Sequence, residues 1–450
     1  MFTGIESNQK GTIIMTRSRA TTLHRRSLLG AAGLAAVPLL TGNPRAILAQ
    51  DAVEVAFRQN DPPVEIGGLE EAIDKLNASD AGVKVKLENI AWADAQAQWV
   101  REVQAGGGPD VQQLAFVWPQ DLASTGLLLE LDSHISGSDI APDDFLALEL
   151  GQLDGKTYGI PWTADTFVIA YRPDLLDAAG VQLPAGEVWD PGTWEAFRDV
   201  AESLSDGSDQ FGFAFPAGPE GWTWFLVNYY LWSNGTTLVE QDDTGAWAPG
   251  VTAEDLTGAL DYFNAFFERS ITPESLIAVS TPGDPQIVGG LGRGDAAMSF
   301  FPPATFRAAQ AESESPLATA LIPSGSETRI SHLGGRMLGI NPSTEHPDEA
   351  WQVVEHLISA ETFETYDQYP ARKSILESVE VPEGEEAYAE MLPQAITFEQ
   401  YISSPVPVPS LQEAVNRSFG AVFSGQQASA DAAGALVDEL ASLIARGEEG

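Results

Sequence analysis

The chain has 450 residues, no cysteine and a formal charge of −42, with 44% hydrophobic and 9% aromatic residues. Such a composition is globular, and the length suits two or three domains of roughly 100–200 residues. It excludes disulfides, iron–sulfur clusters and thiolate metal sites, and so acidic a surface repels nucleic acid and anionic lipid.

The first fifty residues read as an export signal. "LHRRSLLGAAGLAAVPLLTGNPRAILAQ" (23–50) has Arg25 and Arg26, a short apolar run and Ala49 before the expected cut. The run is shorter than the ~20 residues that span a bilayer. The paired arginines followed by Ser27, Leu28 and Leu29 point to the twin-arginine route, against a general secretory signal with two chance arginines. Met15 begins a better-proportioned signal than Met1. With no cysteine to carry a lipid, the protein is expected to be periplasmic or extracellular and not a lipoprotein. Residues 51–450 carry 17 basic and 64 acidic side chains, a net charge of −47. Adaptation to a salty medium and plain exported acidity both account for that excess. Four histidines remain there, at 134, 332, 346 and 356, with no metal-ligand spacing. No metal or cofactor is expected, and the export route is read as serving rapid folding.

After the signal, "VEVAFRQND" from Val53 alternates and opens onto polar residues, as a strand running into a loop does. "GGLEEAIDKLNAS" puts Leu69, Ile73 and Leu76 on one helical face. "VKVKLENI" from Val83 is a second strand, and the next helix spaces Ala95, Trp99 and Val103 before a glycine stop. "DVQQLAFV" is a third strand. This β-α-β-α-β rhythm implies a mostly parallel sheet under helices. Later come a buried strand at 167–171, a helix opening at Thr193, and a helix with Leu256, Leu260, Phe263 and Phe267 on one face. Short strands at Ala296 and Gly334 and two late helices follow. "SSPVPVP" (403–409) reads as extended. "SDGSDQFG" (205–212) lacks the ligand pattern of a calcium loop and reads as a turn.

The order of motifs resembles the extracellular solute-binding proteins of family 1, the maltose-binding-protein-like receptors of ABC importers. The motifs are "AGGGPDV" (105–111), "LASTGLLLELDSHI" (122–135), "LDGKTYGIPWTADT" (153–166), "AYRPDLLDAAGV" (170–181) and "TWEAFRDVAESLS" (193–205). They continue with "FGFAF" (211–215), "LWSNGTTL" (231–238), "GLGRGDAAMSF" (290–300), "LGGRMLGINPSTEHPDEAWQVVEHLIS" (333–359) and "YPARKSIL" (369–376). Each is weak alone; ten in order are specific. The resemblance implies an α/β type II periplasmic-binding-protein fold, two lobes on a hinge with the ligand between them. It places chain crossings at 163–167, 322–324 and near Ser359, so that 51–165 with 324–358 forms one lobe and 166–323 with 359–450 the other. It further implies a monomer that takes a small-molecule ligand, a sugar above all, and hands it to permease subunits.

A sugar site needs aromatic platforms for ring faces and carboxylates or amides for hydroxyls. The chain has eleven tryptophans. The resemblance puts Trp222 and Trp224 at the ligand, with Trp232 in the core. Trp224, Asn228 and Trp232 share one helical face, and core packing is the competing reading for each. Asn60 and Asp61 follow the first strand, where the family has polar ligand contacts and where turn-formers are equally at home. Of the adjacent Gln112 and Gln113 only one can face a cleft. Trp118 is a platform or a loop anchor. Asp165 is expected to hold ligand hydroxyls at the cleft floor, with Trp162 as a wall. Gly334 and Gly335 permit close backbone approach. Arg336 departs from the family pattern. It serves either an acidic ligand such as a uronic acid or a protein carboxylate. Arg372 resembles a family position near the cleft, with a surface ion pair as its alternative.

A binding protein without catalysis is the leading reading. A secreted glycoside hydrolase or lyase is the rival, because tryptophans and carboxylates also suit that chemistry. No G-x-S-x-G, H-E-x-x-H or phosphate-binding loop marks an enzyme. A receptor for a polyol phosphate or a polyamine is the third reading.

Overall fold

The computed structural model describes residues 52–63, 66–218 and 223–449; the export signal and Trp222 lie outside them. The first half of the chain supplies four strands of a five-stranded sheet. Its first three strands alternate with helices: β1 (Val53–Gln59), α1 (Leu69–Ala78), β2 (Val83–Asn89), α2 (Trp92–Gln104) and β3 (Val111–Ala115). The faces expected from periodicity are the buried ones: Leu69, Ile73 and Leu76 on α1, and Ala95, Trp99 and Val103 on α2. A short helix α3 (Pro119–Ser124) follows, and then β4 (Ile160–Asp165).

The chain next enters a four-stranded sheet through β5 (Val168–Tyr171). Its elements include α4 (Trp194–Ser203), β6 (Phe211–Ala214), α5 (Thr223–Ser233), α6 (Ala253–Glu268), β7 (Ala296–Phe301), α7 (Pro303–Glu312) and β8 (Ala318–Ala320). Thr193 caps α4 by accepting the Ala196 amide, and Thr252 and Asp255 cap α6 reciprocally. Helix α5 is apolar on nearly every side, because it runs through the interior rather than over it. The chain returns through β9 (Gly334–Ile340) and α8 (Pro347–Leu357), and ends in α9 (Val408–Phe423) and α10 (Ser429–Glu449).

In the first sheet the order is β2-β1-β3-β9-β4, with β1 parallel to β2 and β3, and β9 antiparallel to both neighbours. The second runs β8-β5-β7-β6. Residues 403–407 make bends and Val408 starts α9, so the expected extended segment is shorter than its prolines suggest. Among the described residues no helix is long and apolar enough to cross a membrane.

The first passage between the sheets lies between Asp165 and Val168. The other two fall later than expected. The Ser324 amide donates to Gly192 O, and the Glu327 and Thr328 amides donate to Ser233 O. Residues 324–333 thus stay with α4 and α5, and the chain changes sheets only at Gly334. Beyond Ser359, residues 360–363 pack on α1, and a strap at 369–372 lies along the outer edge of β4. There Ala164 N donates to Tyr369 O at 2.8 Å and Ala371 N to Trp162 O at 3.0 Å. The third passage therefore follows Arg372 and is complete by Gly384, whose carbonyl accepts from Thr319 on β8. The cause is non-local: the strap satisfies the open edge of β4.

Candidate functional site

The C-terminal ends of β1, β3 and β4 and the start of antiparallel β9 meet at one edge of the first sheet. Asp61, just past β1, carries a carboxylate with no solvent exposure. Its oxygens accept from Arg336 Nε at 3.0 Å, Arg336 Nη2 at 2.8 Å, Trp92 Nε1 at 2.9 Å and Gln113 Nε2 at 2.8 Å. Arg336 turns its remaining arm, Nη1, to Asp165 Oδ2. One guanidinium therefore joins two carboxylates that come from opposite edges of the site. This two-pronged geometry is specific to arginine.

Asp165 sits at the end of β4, buried. Burial pushes its carboxyl above the usual range, Arg336 opposes that shift, and Asp61 reinforces it. Asp165 Oδ1 makes no hydrogen bond among the described residues, whereas both oxygens of Asp61 are engaged. Two glycines let the backbone close on this group. A Cβ on Gly334 would stand 2.4 Å from Asp165 Oδ1, and one on Gly335 (φ 143°) would stand 2.0 Å from Thr163 O.

Aromatic rings flank the cluster. Trp92 is half-buried, lies 5.9 Å from the Arg336 guanidinium, and meets Trp118 edge-on at 5.4 Å. His332, two residues before Gly334, stacks on Phe167 at 4.9 Å and lies tilted against half-buried Phe225 at 4.5 Å. Burial, with Arg336 second, lowers its pKa to about 3, so the ring is neutral. Burial holds the Tyr229 hydroxyl well above its ordinary pKa, so it donates to His332 Nδ1 at 2.5 Å. That bond leaves the His332 proton on Nε2. Beside it the Thr166 and Ser331 hydroxyls pair at 2.8 Å, tying the first passage to the second.

Of the residues singled out from sequence, the structure brings Asp61, Gln113, Asp165, Gly334, Gly335 and Arg336 together, with Trp118 alongside. Asn60 supports the cluster from behind: it donates to Gln113 O at 2.9 Å and accepts from Gln112 at 2.8 Å. Gln112 is itself fully buried. Four expectations are corrected. Trp162 is a core residue, 1% exposed. It stacks on Tyr366, meets Phe57 edge-on and donates to Leu357 O at 2.8 Å. Trp224 packs against Phe398 and Tyr401 in the interior. Asn228 is a satisfied core amide, donating to Trp224 O and accepting from Tyr401. Arg372 lies on the strap and pairs with Asp144 at 3.1 Å. Trp92, Phe225 and His332 were missed. Trp92 carried a readable signal, an aromatic at the first position of the helix after β2. His332 carried none.

Two open sheets joined by separate chain passages, with an engaged polar cluster at the edge of one, are the architecture of a two-lobe α/β binding-protein fold. The chain belongs to the bacterial extracellular solute-binding protein family, whose sequence profile matches residues 71–389. It is a solute-binding protein of an ABC transporter, of a family that is exported and works with membrane permeases. A Brucella abortus binding protein is 23% identical over 319 residues, covering 68% of this chain and 72% of its own. The GacH receptor of Streptomyces glaucescens, solved unliganded and with acarbose, superimposes with TM-score 0.73 at 22% identity, over 87% of this chain and 98% of GacH. Maltose-bound MalE3 of T. maritima does so with TM-score 0.73 at 21% identity, over 86% and 99% of the two chains. These likenesses establish the two-lobe α/β fold.

Proposed function

We propose that the cleft-edge cluster captures a neutral carbohydrate, with Asp165 as the hydroxyl acceptor and Trp92, Trp118 and Phe225 as apolar walls. The carrying observation is the asymmetry between the carboxylates. Both oxygens of Asp61 are occupied by Arg336, Trp92 and Gln113, while Asp165 Oδ1 accepts no hydrogen bond among the described residues and lies beside an arginine that favours the ionised form. The relatives that bind acarbose and maltose support the ligand class. An acidic sugar fits poorly, because Arg336 already faces two carboxylates and a third would meet their charge.

The two sheets, with 52–165 plus 334–372 on one side and 168–332 plus 384–449 on the other, are taken to move as lobes about the three passages. The protein is taken to act as an exported monomer, delivering its sugar to a permease. Catalysis is disfavoured by the same geometry. Glycosidase carboxyls flank the scissile bond from separate positions, whereas Asp61 and Asp165 converge on one guanidinium. Calorimetric titration with neutral sugars, uronic acids and polyamines tests the reading. Neutral sugars should bind saturably without turnover, and tighter binding of a uronic acid would overturn it.

A further inference from the structure

The Asp165 oxygen that accepts no hydrogen bond among the described residues has a donor facing it. A Cβ on Gly334 would stand 2.4 Å from Asp165 Oδ1 and 2.5 Å from His332 Nε2. Both atoms therefore border one gap, less than two hydrogen-bond lengths apart. Among the described residues no hydrogen bond joins them directly: Arg336 takes Asp165 Oδ2, and Tyr229 takes His332 Nδ1. Both side chains are more than nine-tenths buried, at 5% and 4% exposure. Gly334 keeps the gap open by having no side chain to put in it.

The two atoms are complementary. With Tyr229 on Nδ1, the neutral ring presents Nε2–H as a donor, and Asp165 Oδ1 presents an acceptor. Neither can turn aside. Phe167 stacks on the ring at 4.9 Å, Phe225 lies against it at 4.5 Å, and Tyr229 on α5 is fully buried. Asp165 is held by Arg336. A group that fits between them must accept from one and donate to the other. A hydroxyl does both. An ammonium accepts nothing, and a carboxylate donates nothing.

We infer that Asp165 Oδ1 and His332 Nε2 clamp one sugar hydroxyl between them, with Tyr229 as the positioning residue that fixes the His332 tautomer. Asp165 belongs to the first sheet, and residues 324–333 stay with the second. A hydroxyl held by both ties the sheets together at the second passage. The inference rests on the sugar reading of the cleft and adds to it the donor and the demand for a hydroxyl.

The test joins calorimetry to nitrogen NMR of histidine-labelled protein, with glucose, galactose, sucrose, trehalose and maltose as probes. In the free protein at neutral pH, His332 should be neutral and protonated on Nε2. Tyr229→Phe should turn it into a mixture of tautomers. At saturation, a sugar that binds should shift the Nε2 resonance and slow exchange of its proton, and Asp165→Ala should shrink both effects. The double variant Tyr229→Phe, His332→Phe replaces both partners of a buried bond by apolar rings of similar shape. It should fold, and bind the same sugar about tenfold more weakly. An Nδ1-protonated ring in the wild type, or saturable heat with an unmoved His332 resonance, overturns the clamp and leaves the sugar reading standing. Absence of saturable heat with every one of these sugars overturns the sugar reading, and the clamp with it.

Discussion

Replacing Asp165 by alanine separates ligand holding from structural pairing. The substitution removes a charge-assisted bond to Arg336, an interaction worth about 1.5–3 kcal/mol. Truncating one side of a buried ion pair commonly costs about 3–5 kcal/mol, because the other charge is left bare. Here Arg336 keeps its two-pronged bond to Asp61. Burial also disfavours the Asp165 charge, and removing it relieves that penalty. The stability loss should therefore be only about 1–2 kcal/mol, read as a shift in urea midpoint at constant slope. Loss of the Oδ1 acceptor should weaken sugar binding about 10- to 150-fold by calorimetry, the equivalent of one hydrogen bond to a charged group. Asp165→Asn keeps an acceptor and should fall between. If the alanine variant folds and binds as the wild type does, Asp165 is a structural cap and the assignment fails.

Trp162→Ala should do the reverse: it empties a core site, costs about 3–5 kcal/mol in denaturant unfolding, and leaves the affinity of the folded protein within about twofold. His332 has a folded pKa of about 3, below its unfolded value near 6.5, so the unfolded state binds the extra proton. Stability from this group is therefore intact above about pH 6.5 and lost as pH falls toward 3, by up to about 1.4 kcal/mol per pH unit. The wild type minus His332→Gln difference in pH-dependent melts should show that slope, and a flat difference would contradict the buried neutral ring. Asp165 contributes the opposite sign. Its folded pKa is raised, so its ionisation weakens the fold as pH rises from 3.8 through the raised value. With a formal charge of −42, the melting temperature should climb from dilute buffer to molar NaCl as self-repulsion is screened; a salt-independent melt would remove adaptation to saline conditions as the reason for the acidity.

The alternating strands and amphipathic helices were legible because each has a local period that burial enforces. The correction at Trp162 was legible too. It stands three residues from Asp165 in one strand, so the two side chains must point to opposite faces, and only one could line the cleft. Asp61, Asp165 and Arg336 were each visible as candidates, yet their pairing was not. Arg336 is 275 residues from Asp61 and 171 from Asp165, and no local pattern reports such a contact. The second and third passages were misplaced for the same reason. Residues 324–333 and the strap at 369–372 are fixed by hydrogen bonds to distant backbone, and their own composition resembles any loop. Trp224 and Asn228 failed differently: a helix apolar all round has no face to mark as a binding surface.

The most direct test is calorimetric titration of the folded protein with neutral mono- and oligosaccharides, with the sugar recovered and analysed afterwards. Saturable one-to-one binding of an unaltered sugar, weakened at least tenfold in Asp165→Ala, is the predicted result. Cleavage of the sugar, or binding confined to uronic acids, would contradict the account.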